Sequence, residues 1–286
     1  MTEATEGAPD ELVLLFIGEV PVGNWHPPHL AIGPAKFTRE LFTNCHECNT
    51  HTLFTLCVIQ TSTHRKAVTR QMKYQQTPHH LFDSNLQARP KNAGAIWRTL
   101  CWVNDQVAIS GDLSEYVSEA LVQLNDWENQ GITDIIDLRG EGSHEDFVAE
   151  NAPHIRYHWL GVDDEGDRRS DEWFEAIEAA AQLVLQDPSR KVVIHCHMGV
   201  NRGPSAAFTA LITHGVDPIL ALTQIRSARP VAAILYSFDA VQWFAHRQGK
   251  SEQEVADLFQ AVYDWHVENP LDLRYCIQQI GSRYAA

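Results

Sequence analysis

The sequence predicts an α/β fold in which a central, mostly parallel sheet is flanked by helices. Short hydrophobic runs, typical of buried strands, alternate with stretches in which apolar residues recur at helical spacing. This alternation begins near Trp97 and continues to about residue 267. Apolar residues make up 44% of the 286-residue chain, which is enough for a substantial buried core.

The first predicted elements after Trp97 are three strands and one helix. Three hydrophobic runs indicate the strands: Val107–Ser110, Thr133–Leu138 and Tyr157–Leu160. The helix lies between the first two strands, and its apolar stripe consists of Tyr116, Val117, Ala120, Leu121, Leu124 and Trp127. Gly131 follows at a position where helices commonly end on a glycine.

Capping residues mark the later helices. Ser170 can cap a helix whose first turn holds Asp171 and Glu172, an arrangement that suits the helix dipole. Asp217 and Pro218 have the residue types preferred at the N-cap and first position of another helix. The remaining predicted elements are a buried strand over Lys191–His195 and helices from about Ser205 to Gly215, over Tyr236–Gln248 and over Glu252–Val267.

Charged residues divide the chain into two parts. The net charge is −15, from 37 acidic and 22 basic side chains. Residues 1–95 hold 8 acids and 8 bases, whereas residues 96–286 hold 29 acids and 14 bases. We therefore expect an N-terminal extension of unclear structure over residues 1–95 and a separate folded domain over residues 96–286. This acidity does not suit nucleic acid or an anionic membrane as a general partner.

The sequence also predicts a reduced, cytoplasmic protein without a cofactor. Its longest early aliphatic run, Leu12–Ile17, is far shorter than the roughly 20 residues of a membrane-spanning helix, and only acidic charges precede it. Six cysteines in a chain of this length do not indicate a disulfide scaffold. Cys45 and Cys48 have the spacing of zinc ligands, but a second such pair is missing and we expect no bound metal.

The segment Val192–Ser205 (VVIHCHMGVNRGPS) combines a strand, a loop and the start of a helix. The strand ends at His195, Cys196 opens the loop, and Arg202 follows six residues after the cysteine. In such a turn the backbone N–H groups and the helix N-terminus form a site for a tetrahedral oxyanion. Arg202 adds a bidentate donor, and the same positive field favours the thiolate of Cys196. The segment therefore predicts a phosphate site with a cysteine nucleophile.

The other residues of this loop are candidate substrate contacts. They are His197, Met198, Gly199, Val200, Asn201 and Gly203, together with Arg202. We expect the ring of His197 to face the rim of the site, where it either tunes substrate binding or is inert. We expect Asn201 to brace the loop.

The chain resembles the dual-specificity, cysteine-based branch of the protein tyrosine phosphatase superfamily. The signature of that branch, H-C-x5-R, is matched by His195, Cys196 and Arg202. The resemblance covers about residues 100–250 and includes Gly131–Arg139 (GITDIIDLR), Leu160–Ile177 (LGVDDEGDRRSDEWFEAI) and Arg226–Pro230 (RSARP). It implies a protein tyrosine phosphatase-like fold, a catalytic domain over residues 96–286 and hydrolysis through a phosphocysteine.

The resemblance also implies roles for two further side chains. It assigns the general acid to Asp164, 32 residues before Cys196, with Asp163 and Asp167 as alternatives in the same acidic loop. It implies that His195 makes hydrogen bonds that fix the loop and help to keep the cysteine ionised.

The sequence departs from the family pattern directly after the arginine. The family usually has Ser or Thr there, and its hydroxyl assists departure of the thiolate when the phosphocysteine is hydrolysed. This chain has Gly203 and Pro204 instead, and Ser205 comes two places later. This departure therefore puts in doubt the rate at which the phosphocysteine is hydrolysed, more than it puts in doubt the binding of phosphate.

The loop composition favours a singly phosphorylated substrate. No lysine lies between Cys196 and Arg202, and the surrounding region is acidic, so polyphosphorylated inositides and RNA ends are disfavoured. We expect phosphotyrosine in proteins, with or without phosphoserine and phosphothreonine, or else a small phosphomonoester. The alternatives are a phosphate-binding pseudophosphatase and an enzyme of rhodanese or arsenate-reductase type, which would need a second, resolving cysteine.

Overall fold

The computed structural model describes residues 13–15, 57–59, 73–82 and 88–284. They belong to two compact units, Met1–Gln71 and Met72–Ala286. In the first unit, strand β1 (Val13–Leu15) pairs antiparallel with β2 (Cys57–Ile59). Cys45 and Cys48, which have zinc-ligand spacing, lie outside the described residues.

The second unit is built on a mixed sheet whose described part has five strands. These are β3 (Cys101–Trp102), β4 (Val107–Ser110), β5 (Asp134–Arg139), β6 (Arg156–Val162) and β7 (Val192–His195). The spatial order is β3-β4-β7-β5-β6. Strand β3 pairs antiparallel with β4, and the other three pairings are parallel. The predicted α/β class with a mostly parallel sheet is therefore confirmed.

Helices cover both faces of this sheet. The described helices are α1 (Val117–Asn129), α2 (Glu145–Asn151), α3 (Asp171–Leu185), α4 (Arg202–Thr213), α5 (Pro218–Ala228), α6 (Ser237–Arg247), α7 (Glu252–Glu268) and α8 (Leu273–Tyr284). Alternate strand residues enter two separate cores, because successive side chains point to opposite faces of a strand. Ile109, Ile136 and Ile194 join the larger core, and Ala108, Ile135 and Val193 join the smaller one. Within the described chain, no helix is long and apolar enough to cross a membrane.

The predicted caps are confirmed. The Ser170 side chain accepts a hydrogen bond from the backbone N–H of Trp173 at the start of α3. The Asp217 side chain accepts from two backbone N–H groups at the start of α5, whose first residue is Pro218. Gly131 has a φ of +85° just after α1, a conformation that glycine adopts without strain.

Two parts of the second unit differ from the sequence prediction. Helix α4 begins at Arg202 rather than near Ser205, since the first helical turn tolerates Pro204, whose missing N–H would have no partner there. Helices α2 and α8 were not predicted, because α2 is short and α8 has few apolar residues. The unpredicted helix α8 matters for function, because two of its residues, Leu273 and Ile277, line the cavity of the candidate site.

The compact unit begins at Met72, 24 residues before the boundary predicted from the charge pattern. Gln75 exchanges two hydrogen bonds with the side chain of Gln242, at 2.7 and 3.1 Å. The Tyr74 hydroxyl contacts the carboxylate of Asp171 at 3.1 Å, and Phe82 is buried. These residues join the unit through non-local contacts, which leave no periodic pattern in the sequence.

We expect acid to destabilise this unit through His266. Its ring is buried against Phe82, Phe238 and Trp265, and burial lowers its pKa to about 3. The unfolded chain therefore binds a proton between about pH 6.5 and 3 that the folded chain excludes, so the free energy of unfolding falls as the pH falls through this window. This contribution should amount to about 2 kcal/mol between pH 7 and pH 5.

Urea unfolding of His266→Gln at both pH values measures this contribution. The variant should lose less stability than the wild type on going from pH 7 to pH 5. The exposed His214, replaced by Gln, is the control and should retain the wild-type dependence. An unchanged dependence in His266→Gln would contradict the assignment.

Candidate active site

A cavity of about 370 Å³ lies at the carboxyl end of the central strand β7. One part of its lining is the loop after β7, which begins at Cys196 and ends at Arg202, the first residue of α4. A second part is the loop between β6 and α3, with Asp164, Glu165 and Gly166. The third part is an apolar wall formed by Leu235, Leu273 and Ile277.

A buried arginine holds the loop after β7 in place. Arg229 is fully buried, and its guanidinium donates to the backbone carbonyls of Gly199 at 2.6 Å and Met198 at 3.1 Å. Gly199 has a φ of +62°, and a Cβ at this position would lie 2.5 Å from both the Arg229 guanidinium and the Ser110 carbonyl. These loop carbonyls therefore face Arg229, and the backbone of Gly199 and Gly203 hydrogen-bonds to the Cys196 sulfur instead.

Cys196 is the buried sulfur of this cavity, with 2% of its surface exposed. Burial raises the pKa of its thiol, and the carboxylate of Asp164 raises it further. Arg202 and hydrogen bonds from the backbone of Gly203 and Gly199 lower the thiol pKa. The positive field expected from the sequence is therefore present, but desolvation of the sulfur outweighs it.

Arg202 is oriented by a residue that sequence reasoning missed, Glu141. The two Nη atoms of Arg202 donate to the two carboxylate oxygens of Glu141 at 2.6 and 2.8 Å. These hydrogen bonds hold the pKa of Glu141 at about 2. The buried Nε of Arg202 makes no hydrogen bond to any described residue and lies 3.6 Å from Oδ2 of Asp164. Glu141 thus binds the two Nη atoms, and Nε keeps a hydrogen-bond donor that no described residue satisfies.

Asp164 is the candidate acid that reaches the cavity. Its Oδ1 accepts hydrogen bonds from the side-chain amide of Asn201 at 2.7 Å and from the hydroxyl of Tyr236 at 2.8 Å. All three candidate acids are described residues, and neither Asp163 nor Asp167 lines the cavity. Asn201 also accepts from the backbone of Leu235 at 2.8 Å, so it links the loop to two other segments.

The two histidines beside Cys196 occupy different environments. His195 is fully buried, its Nδ1 lies 3.7 Å from Oδ1 of Asp137, and burial lowers the pKa of its ring. Neither ring nitrogen of His195 makes a hydrogen bond with a described residue, so the loop-fixing hydrogen bonds that the resemblance implies for this ring are not present among them. His197 lines the cavity, is partly exposed, and its Nδ1 lies 2.7 Å from Oδ2 of Asp112. Its side chain is thus anchored at the rim.

Gly203 and Ser205 show how the chain accommodates its departure from the family pattern. A Cβ at position 203 would lie 3.3 Å from the backbone N of Cys196, closer than most side-chain contacts. Ser205 is fully buried, and its Oγ accepts from the backbone N–H of Tyr236 at 3.2 Å. The Ser205 hydroxyl therefore supports the fold beside the loop.

The described residues place no second cysteine in the lining of the cavity. Cys101 lies on β3, where its sulfur is 3.4 Å from the guanidinium of Arg229. Cys276 lies on α8 and is fully buried. This arrangement gives no support to sulfur chemistry that needs a resolving thiol at the site.

Three contributions to the site were missed by sequence reasoning: Glu141, Tyr236 and the wall from α8. Glu141 had a usable signal, because it follows a predicted strand and the carboxyl ends of parallel strands share one edge of the sheet. No signal in the sequence pointed to Tyr236 or Ile277, since each reaches the site from an element that is distant in the chain.

No family model matches the chain, and the comparison with curated proteins finds no match. Solved structures that are similar include human DUSP28, at 18% identity and a TM-score of 0.43, with 52% of this chain and 95% of that chain covered. A mouse dual-specificity phosphatase in complex with zinc tungstate is 19% identical with a TM-score of 0.44, covering 60% and 96%. Tk-PTP in its active form is 16% identical with a TM-score of 0.42, covering 53% and 99%.

Proposed function

We propose that this protein is a cysteine-dependent phosphatase that hydrolyses phosphate monoesters through a phosphocysteine intermediate. The observation that carries the proposal is the cavity itself. Cys196, Arg202 and Asp164 all line the same small space, and the Nε of Arg202 has no hydrogen-bond partner among the described residues. Nucleophile, anion-binding group and proton donor are the three parts that this reaction requires.

In the first step, the loop N–H groups and Arg202 bind the non-bridging oxygens of the phosphate. The Cys196 thiolate attacks phosphorus, and the bond between phosphorus and the leaving oxygen breaks. Asp164, in its protonated form, gives its proton to that oxygen, so the product leaves as a neutral alcohol or phenol.

In the second step, the Asp164 carboxylate takes a proton from water as the water oxygen attacks the phosphocysteine. The phosphorus–sulfur bond breaks and releases inorganic phosphate and the Cys196 thiolate. Gly203 supplies no hydroxyl to assist this departure. We therefore propose that breakdown of the phosphocysteine limits turnover with good leaving groups.

The lining of the cavity suits one phosphate on an apolar body. Among the described lining residues, Arg202 is the single arginine or lysine, whereas Leu235, Leu273 and Ile277 form an apolar wall. A polyphosphorylated ligand would leave charges without cationic partners, at a high desolvation cost. Phosphotyrosine in proteins fits this lining best, and phosphoserine, phosphothreonine and small phosphomonoesters are further candidates.

The Cys196→Ser variant tests the mechanism. We expect the wild type to hydrolyse p-nitrophenyl phosphate and to be inhibited by vanadate. Cys196→Ser should lose activity by at least about a thousandfold, because a hydroxyl is a much poorer nucleophile than a thiolate. It should still bind phosphate in calorimetric titration, since Arg202 and the loop N–H groups remain.

Cys276→Ser is the matched control, because it replaces another buried cysteine that does not border the described cavity. Turnover retained in Cys196→Ser would exclude the phosphocysteine. Phosphate binding without hydrolysis by the wild type would instead identify a pseudophosphatase.

Glu141→Gln should weaken oxyanion binding. The amide loses the negative charge and one of the two hydrogen bonds that orient Arg202. Because the Glu141 side chain is half exposed, we expect the inhibition constant of vanadate to rise by only about tenfold. Glu145→Gln, a substitution at an exposed position of the neighbouring α2, should leave the inhibition constant of vanadate unchanged. Equal constants for the two variants would contradict the role of Glu141.

Ile277→Asn should separate recognition of the substrate body from recognition of its phosphate. Ile277 lines the cavity and is 42% exposed, so its replacement leaves the packing of the buried core in place. We expect KM for a phosphotyrosine peptide to rise about fivefold through lost apolar contact, with no change in the inhibition constant of inorganic phosphate. Val267→Asn, at an exposed apolar position on α7, is the control. An equal rise in both constants would contradict an apolar substrate wall.

A further inference from the structure

We propose that Tyr236 is a positioning residue that holds the general acid Asp164 over the cavity with its proton on the oxygen that faces the substrate. The inference rests on the proposed phosphatase function, because it takes Asp164 as the acid. Tyr236 lies directly before α6, 72 residues after Asp164 in the chain. It does not line the cavity and acts through Asp164.

The two oxygens of Asp164 have different surroundings. Oδ1 accepts two hydrogen bonds, from the Tyr236 hydroxyl at 2.8 Å and the Asn201 amide at 2.7 Å. Oδ2 lies 3.6 Å from the Nε of Arg202, the group proposed to bind phosphate. Because Oδ1 is occupied as an acceptor by two donors, a protonated Asp164 carries its proton on Oδ2. That oxygen is the one on the side of the phosphate site.

Tyr236 can act only as a donor in this contact. Burial raises the pKa of its phenol, and the neighbouring Asp164 carboxylate raises it further. The hydroxyl therefore keeps its proton over the range in which the enzyme would work. It can orient the acid but does not compete with it for proton transfer.

The position of Tyr236 is itself determined by both loops of the site. Its backbone N–H donates to Ser205 Oγ of α4 at 3.2 Å, which fixes it to the helix that follows the nucleophile. Its ring packs edge-to-face on Trp173 at 5.9 Å, and the Arg169 guanidinium lies over it at 4.7 Å. Arg169 also donates to the carbonyl of Asp163, which precedes the acid. Tyr236 thus joins the acid loop to the nucleophile loop.

Tyr236→Phe tests the proposal, since it removes the hydroxyl and keeps the ring. The rate is measured with two substrates, phenyl phosphate, whose leaving group needs protonation, and 2,4-dinitrophenyl phosphate, whose leaving group does not. The two esters are compared by kcat/KM, which reports formation of the phosphocysteine and not its breakdown, a step in which Asp164 acts as a base. We expect kcat/KM for phenyl phosphate to fall about tenfold and kcat/KM for the dinitrophenyl ester to be nearly unchanged. Tyr263→Phe, which removes a hydroxyl on α7 outside the described cavity lining, should behave as the wild type.

Asp164→Asn and the double variant complete the cycle. Asp164→Asn should show the same selective loss on phenyl phosphate, but larger. Adding Tyr236→Phe to it should cause no further loss, because the hydroxyl acts only through the acid. Additive losses in the double variant, or a Tyr236→Phe loss that is equal on both esters, would overturn the proposal.

The outcomes distinguish this inference from the proposed function. A wild type inactive on both esters would overturn the phosphatase function and the positioning role together. Active wild type with a normal Asp164→Asn variant would move the acid elsewhere and overturn the inference alone. Normal kinetics in Tyr236→Phe, with a selective defect in Asp164→Asn, would show that Asn201 is sufficient to position the acid.

Discussion

The candidate site depends on one buried cation, the guanidinium of Arg202, and on the acidic groups around it. Burial lowers the pKa of Arg202, but Glu141, Cys196 and Asp164 outweigh burial and raise it. Glu141 binds the two Nη atoms, so the guanidinium keeps one orientation, with its Nε 3.6 Å from Oδ2 of Asp164. For the proposed phosphate ligand, this donor group is aligned before binding. The Arg202 side chain therefore loses its conformational entropy when the chain folds, and little more is lost when a ligand binds.

The charge of Asp164 affects the Cys196 thiol across the same cavity. Burial raises the pKa of the thiol, and the carboxylate of Asp164 raises it further. Arg202 and the backbone of Gly203 and Gly199 act in the opposite direction and favour the thiolate. In the proposed first step Asp164 acts in its acid form, which carries no charge to oppose the thiolate. The form of Asp164 that this step requires thus removes one of the causes of the raised thiol pKa.

Local chemistry explains which parts of this arrangement the sequence predicts. Caps at Ser170 and Asp217 depend on two or three neighbouring residues, and the hydrophobic run before Cys196 is sufficient to predict a strand that ends there. The contact of Glu141 with Arg202 spans 61 residues, and that of Tyr236 with Asp164 spans 72. No spacing rule encodes such pairs. They follow from the order of the strands and helices, which becomes available only with the fold.

The net charge of −15 repels anions, whereas the proposed site attracts one, and the two effects act over different distances. Exposed carboxylates are screened beyond about 8–10 Å at physiological ionic strength, whereas Arg202 and the loop N–H groups act within hydrogen-bond range and are largely shielded from water. Local groups therefore decide whether phosphate binds, and the surrounding charge gives no long-range attraction for it. Without such steering, affinity has to come from short-range contacts. The apolar wall of Leu235, Leu273 and Ile277 would supply contacts of this kind for the body of the proposed substrate, and two of its three residues belong to α8.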